Sequence, residues 1–480
     1  MRGPLHDTAM LMRGPRRRRG LHDSAMLLLC GVFVVANAAP PLHVSTYPGA
    51  ADVPGCGIGP SPDCRTLSYA VHERAPAIAW GGGGGGSAAV AVSLARGVYA
   101  ERGLRVGVPS LTVRGMPGAS VLNCGGLGRG FTVPPNASLV LSGLSLVDCV
   151  ASDGVGGGGV LALRTGALTV QLVITDCVFS RCSVAPESYS STWGVCSGGG
   201  DGGGVLVDAF DVTVGAGAAP LVVLSRTSFD ACTASSGGGT SAAVSVAVAS
   251  TVEVVIDACS FVACSAEASM GGAVAVASCG ASGGGNVSLV VTSTVFSANF
   301  AEVGGGAIAL AGPDGVPAVP SCCATGTCGE ISPSWTNGIR GVFTNCSVSG
   351  NTAGQIGAGL YLENATAHLV RVAVNANVAG VEGGGAMLES GTATLHAEAT
   401  SFTHNSAAGS GGQVLAVSHG DLMLTNGSYA DMQPQSSVLG YAFAVFDLTR
   451  LSRFIVDADS VLQVCVCVRV CVCVCVCVCV

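Results

Sequence analysis

Four aspartates, a set of cysteines and one His-Gly pair are the side chains best equipped for chemistry. Asp148, Asp176, Asp230 and Asp257 recur along the middle of the chain, with Asp153, Asp201, Asp208 and Asp211 scattered between them. Sugar cleavage needs acids gathered on one face, as a carboxylate pair for hydrolysis or a calcium cluster with an Arg for elimination. These acids form no close local pair, so only stacking of distant segments would gather them. Solvated turns are the plainer reading. Ser418-His419-Gly420-Asp421 sets a His near an acid, but without an accompanying acidic or Arg-Lys element it reads as a turn. Cys177/Cys182 and Cys259/Cys264 share a five-residue offset. Zinc sites use tighter pairs, with a second pair at a fixed distance. Inward packing or disulfide pairing fits better. Gly81 to Gly86 has no Lys-Ser/Thr behind it, which makes it a flexible turn and not a phosphate loop. No catalytic residue, metal site or cofactor is therefore expected.

The elements that hold these residues follow from a repeat. A large apolar residue is followed three positions later by Asn or Cys, then usually by Ala two further on. The copies are Leu146/Cys149/Ala151, Phe179/Cys182/Val184, Phe229/Cys232/Ala234, Phe261/Cys264/Ala266, Phe296/Asn299/Ala301, Val348/Asn351/Ala353, Val374/Asn377/Ala379 and Phe402/Asn405/Ala407. Glycine clusters such as Gly156–Gly159 and Gly304–Gly306 come next, followed by short apolar runs such as Ala307-Ile-Ala-Leu310. Successive Asn/Cys positions are 33, 50, 32, 35, 52, 26 and 28 residues apart. The two long intervals hold insertions, near 186–200 and 312–337. Without them the period is about 25–35 residues, the length of one solenoid coil.

Backbone geometry turns that pattern into a fold. Equivalent positions in stacked parallel strands lie about 4.8 Å apart. A buried amide at one turn can then bond the same amide in the next coil and satisfy its polar atoms. Asn299, Asn351, Asn377 and Asn405 suit such a ladder. Cys149, Cys182, Cys232 and Cys264 occupy the same position as small inward hydrophobes. Stacked thiols one coil apart also fall inside the Cα separation that a disulfide accepts. Phe179, Phe229, Phe261, Phe296 and Phe402 fill the core, and glycine supplies positive φ at the following corner. Helices are excluded, because no sustained 3.6-residue apolar period survives glycine clusters every 30 residues or so. An antiparallel sandwich would not repeat one turn in register eight times.

Composition sets the setting. The chain of 480 residues carries 72 Gly and a net charge of −8. Removing residues 1–38 leaves 15 Arg against 27 acids, near −12, which disfavours nucleic acid. Arg16 to Arg19, the apolar run Met26 to Ala36 and Ala36-Asn37-Ala38 have the order of a secretory signal. Sequons at Asn136, Asn286, Asn345, Asn364 and Asn426 suit glycosylation in that compartment. From Cys465 to Cys479 Val and Cys alternate, broken once by Arg469. Alternating GTG and TGT codons are one continuous TG repeat, so this tail reads as an artefact; a membrane anchor is the lesser alternative. Without the tail and Cys30, 15 cysteines remain, an odd number.

Phe296-Ser-Ala-Asn299 followed by Gly305-Gly-Ala-Ile308 resembles the FxxN and GGA[IL] repeats of the polymorphic outer-membrane proteins. The resemblance covers roughly 140–420 and implies a right-handed parallel β-helix of the pectate-lyase-like superfamily, displayed at a surface and used in adhesion. Cys64-Arg-Thr-Leu67, Ala95-Arg-Gly-Val-Tyr99 and Val121-Leu-Asn-Cys124 look like caps of extracellular β-helix proteins. The chain departs from the bacterial family by using Cys for Asn in half the copies. The expected organisation is a signal and extension over 1–38, an N-terminal cap with first coils over 39–130 and β-helix repeats over 131–430. A C-terminal cap over 431–463 and the tail over 464–480 complete it, with eight to eleven coils in all. The expected role is structural, adhesive or glycan-binding, outside the cell or on its surface, with glycans or surface proteins as partners. The alternative is a lyase or glycoside hydrolase of the same superfamily. The inserted loops are the expected points of specific contact.

Overall fold

The structure is a computed structural model. It describes residues 41–409 apart from 55, 59–62, 82–88, 136, 153–155, 166–170, 186–201, 212–220, 235–242, 249–251, 268–269, 279–286, 313–337 and 390–392. Beyond them it describes the strands at 414–416, 421–425, 428–430, 443–445, 453–456, 461–470 and 472–479. Both insertions lie largely outside the described residues.

One coil shows how the sequence makes the fold. Val252–Asp257 alternates, with Val252, Val254 and Ile256 buried and the residues between them turned outward. Ala258 then takes a left-handed conformation, φ 50°, and turns the chain by a corner. A three-residue strand, Ser260–Val262, buries Phe261. Ala263, φ 53°, makes a second corner, and Cys264 points inward before the two-residue strand Ser265–Ala266. A glycine segment follows, then Val274–Ser278 closes the coil. We call the four strands of a coil faces one to four, in that order.

Stacking of equivalent strands gives sheets of 13, 13, 8 and 11 strands for faces one to four, parallel throughout except for one antiparallel strand at the end of the second. Phe229, Phe261 and Phe296 are direct register partners on face two. This is an all-β parallel β-helix; among the described residues eight coils carry all four faces and eleven carry a face-four strand. The early coils escape motif counting because they lack the Asn or Cys three positions after the large apolar residue: Val90–Leu94 and Ser110–Arg114 are stacked neighbours only about twenty residues apart. Pairing also runs on past residue 430, where Phe443–Val445 extends face four and Arg453–Val456 extends face one. The Val-Cys tail forms an antiparallel hairpin, Val461–Val470 with Val472–Cys479.

The core is a set of columns running along the stack. Phe179, Phe229, Phe261 and Phe296 stack with centroids 4.8, 4.9 and 5.0 Å apart and planes within 12° of parallel. Val348 and Val374 continue the column to Phe402. The glycine cluster serves two purposes. Gly305 has φ +65°, as expected for a corner. Gly159 is there for room: a Cβ would lie 2.6 Å from the Phe179 ring and 2.5 Å from the Gly204 carbonyl. The two halves of the repeat motif are thus coupled by contact.

The N-terminal end holds a helical stretch that the apolar periodicity did not reveal: Leu67–Tyr69, Ala70–Arg74 and Ala75–Gly81. Thr66 Oγ1 accepts from Tyr69 N at its start, and Glu101 Oε1 accepts from Leu67 N at 2.7 Å. Leu67, Ala70, Val71 and Ala75 join the core. A disulfide between Cys56 and Cys64 ties the segment before it.

Candidate binding surface

Two corners per coil, separated by three residues, explain the five-residue cysteine offset. Corner one places Leu144, Cys177, Thr227, Cys259, Thr294, Cys346, Val372 and Thr400 inside. Corner two places Cys149, Cys182, Cys232, Cys264, Asn299, Asn351, Asn377 and Asn405 inside. The described donors among His, Cys, Asp and Glu make no metal-holding group.

The four asparagines form a continuous amide ladder. Asn299 Nδ2 donates to Asn351 Oδ1 at 2.9 Å, Asn351 Nδ2 to Asn377 Oδ1 at 2.9 Å, and Asn377 Nδ2 to Asn405 Oδ1 at 2.8 Å. Each Nδ2 also donates to a carbonyl of the preceding coil, of Phe261, Phe296, Val348 and Val374 in turn. The thiols of Cys182, Cys232 and Cys264 aim at the equivalent carbonyls, of Leu146, Phe179 and Phe229, at 3.7, 3.8 and 3.7 Å. Cys therefore replaces half of the amide, the donor, and lacks its acceptor. Cys149 is bonded to Cys124 of the preceding coil, a disulfide between neighbouring coils of the kind the stacking allows.

The residue before each inward corner position is left-handed and, apart from the buried Gly143, faces water. At corner two Asp148 binds Arg181 of the next coil at 2.7 Å, and at corner one Asp176 binds Arg226 at 2.6 Å. Hydrogen bonds from these guanidinium groups hold both carboxyls below their usual pKa. The other two aspartates lie elsewhere, Asp230 ending a face-two strand and Asp257 ending a face-one strand. The four acids thus occupy four different columns, and stacking does not gather them. The 417–420 stretch around His419 lies outside the described residues.

Outward positions give the surface its character. On face two each buried central residue is flanked by small side chains: Ser228/Asp230, Ser260/Val262, Val295/Ser297, Ser347/Ser349, Ala373/Asn375 and Ser401/Thr403. On face three Ser183, Thr233 and Ser265 follow one another in one column, which Phe300 interrupts before Thr352. The result is a surface of short side chains in which hydroxyls occur in runs of two or three coils, broken by residues such as Val262, Val295, Ala373 and Phe300. Seryl flanks around each core residue were visible in the sequence as S-F-D, S-F-V, S-V-S and S-F-T, but only the coil places them side by side.

Two further clusters lie on other faces. On face one the rings of His368 and His396 stack 4.5 Å apart, with His368 Nε2 3.8 Å from Glu398 Oε2 and without a hydrogen bond. On face four the buried Tyr361 hydroxyl donates to Glu389 Oε2 at 2.6 Å, beside Glu363. Burial and then that bond drive the tyrosine pKa far up. Of the sequons, Asn345 is exposed and accepts from Arg371 Nε through Oδ1 at 2.7 Å, while Asn364 is half-buried. Asn136, Asn286 and Asn426 lie outside the described residues.

The class that this architecture defines is the parallel β-helix. Comparison of the chain finds no matching family model, no matching curated protein and no matching solved structure.

Proposed function

We propose that this chain is a structural or adhesive protein, secreted or displayed at a cell surface, that presents its hydroxyl-bearing side to glycans. The observation that carries this reading is the short outward runs of Ser and Thr on faces two and three. Within a run, hydroxyls held one coil apart on a rigid sheet meet neighbouring hydroxyls of a polysaccharide with little loss of side-chain freedom. The likeness of the FxxN/GGA[IL] repeats to the polymorphic outer-membrane proteins supports adhesion, and the signal-like N-terminus and sequons support secretion.

The rival reading, glycan cleavage, has less behind it. Asp148 and Asp176 are engaged by Arg181 and Arg226, and the second acid near each arginine, Asp230 or Asp257, belongs to a different column.

Binding to insoluble polysaccharides, read by depletion from solution, tests the proposal. Ser260→Arg with Ser347→Arg should lower retention about tenfold and leave the fold intact by circular dichroism. Equal retention of this variant on every polysaccharide would remove these runs as the binding surface. Release of shortened or unsaturated sugars by the unaltered chain would favour the enzyme.

A further inference from the structure

Corner two carries two different kinds of inward side chain, divided by position along the stack. Asn299 to Asn405 are linked coil to coil by amide bonds. At the other end, Cys124 and Cys149 are linked coil to coil by a disulfide. Between them stand Cys182, Cys232 and Cys264, all buried and unbonded. Register puts them in adjacent coils, since Ser183 pairs with Thr233 and Thr233 with Ser265 immediately after them. All three side chains point inward at the same corner, with Cys232 in the middle coil.

We propose that this column is a site of disulfide formation with Cys232 as the obligatory member, bonded to either Cys182 or Cys264. Neighbouring coils set the Cα atoms about 4.8 Å apart, inside the range a disulfide accepts. Cys182 and Cys264 are two coils apart, about 9.6 Å, outside that range. One bond is therefore formed, and one thiol remains. Two thiols lose two protons and two electrons as the Sγ–Sγ bond forms. A low-molecular-weight disulfide or a dithiol oxidase takes both up and leaves as two thiols. Exchange occurs while the coils assemble, because the closed core excludes the oxidant and keeps the thiols protonated. The N-terminal half thus gains a covalent rung where the other half has an amide rung. The inference is independent of the glycan reading.

The full chain should be produced in an oxidising secretory compartment, quenched in acid, alkylated while denatured and mapped by mass spectrometry without reduction. A Cys182–Cys232 or Cys232–Cys264 peptide, two hydrogens lighter than the thiol pair, is expected beside the Cys124–Cys149 peptide. Cys182→Ser should leave Cys232–Cys264 as the sole linkage of the column. Cys232→Ser should leave Cys182 and Cys264 both fully alkylated. Complete alkylation of all three cysteines in the unaltered chain, beside an intact Cys124–Cys149 bond, overturns the proposal. So does a Cys182–Cys264 linkage in any variant.

Discussion

Asn377 shows what a single ladder residue does. Its Nδ2 donates to Val348 O and Asn405 Oδ1, and its Oδ1 accepts from the Asn351 backbone N and Nδ2. Alanine there strands partners on both sides in a fully buried site. Asn377→Ala should cost about 3 kcal/mol in urea denaturation, the upper end for buried polar groups left unpaired. An unchanged midpoint would show that the ladder does not stabilise the stack. The reverse change is instructive at Cys264, whose backbone N already donates to Asn299 Oδ1. Cys264→Asn adds an Nδ2 facing the same oxygen and should raise stability by about 1 kcal/mol.

At the scale of the element, the glycine segment and face one each make a prediction. A Cβ on Gly306 would lie 2.4 Å from Thr352 O and 2.6 Å from Ala358 O, both backbone atoms of the next coil. Gly306→Ala should therefore destabilise by more than about 2 kcal/mol, because the backbone must shift. A melting temperature equal to that of the unaltered chain would contradict this packing. On face one, burial first and then neighbouring His396 hold the His368 imidazole below its ordinary pKa; Glu398 opposes this and Arg340 adds to it. Thr366 and Thr394, also on this side, do not titrate. An imidazole with a depressed folded pKa binds fewer protons folded than unfolded. Its contribution is complete above the unfolded value of about 6.5 and is lost as pH falls through the folded value. Stability should fall on acidification across that window, and His368→Gln should flatten the profile. An unaltered slope in the variant would assign the pH dependence elsewhere.

Legibility from sequence divides along the same line. The ladder, the phenylalanine column and the repeat period were legible because each needs a particular side chain at a particular spacing. Corner one was not, since Leu144, Cys177, Thr227 and Val372 share only small or moderate size and burial. The left-handed Ala258, Ala263, Ala298 and Ala376 were equally silent, because alanine does not announce positive φ. The helical stretch at 67–81 was hidden by its shortness, and its N-terminal acceptor, Glu101, lies over thirty residues downstream.

For the molecule as a whole, each coil pairs only with the coils beside it. Stability in such a stack is close to a sum of coil and neighbour contributions, so damage stays local. Hydrogen exchange of Asn377→Ala should accelerate in strands Ser347–Ser349, Ala373–Asn375 and Ser401–Thr403. Protection at Gln171–Thr175, several coils away, should be unchanged. Uniform acceleration along the chain would instead reveal one cooperative unit.

The two long intervals in the repeat enter the stack at different corners, one between faces three and four and the other between faces four and one. Val184 and Val205 keep their register partners across the first, and Ala311 and Ile339 across the second. Growth at a corner disturbs no ladder, and doubling a loop's length costs only about 0.6 kcal/mol in closure entropy. The stack is in this sense a chassis. Peptide grafted at either corner, or a whole coil duplicated between them, should be accommodated with every column still in line.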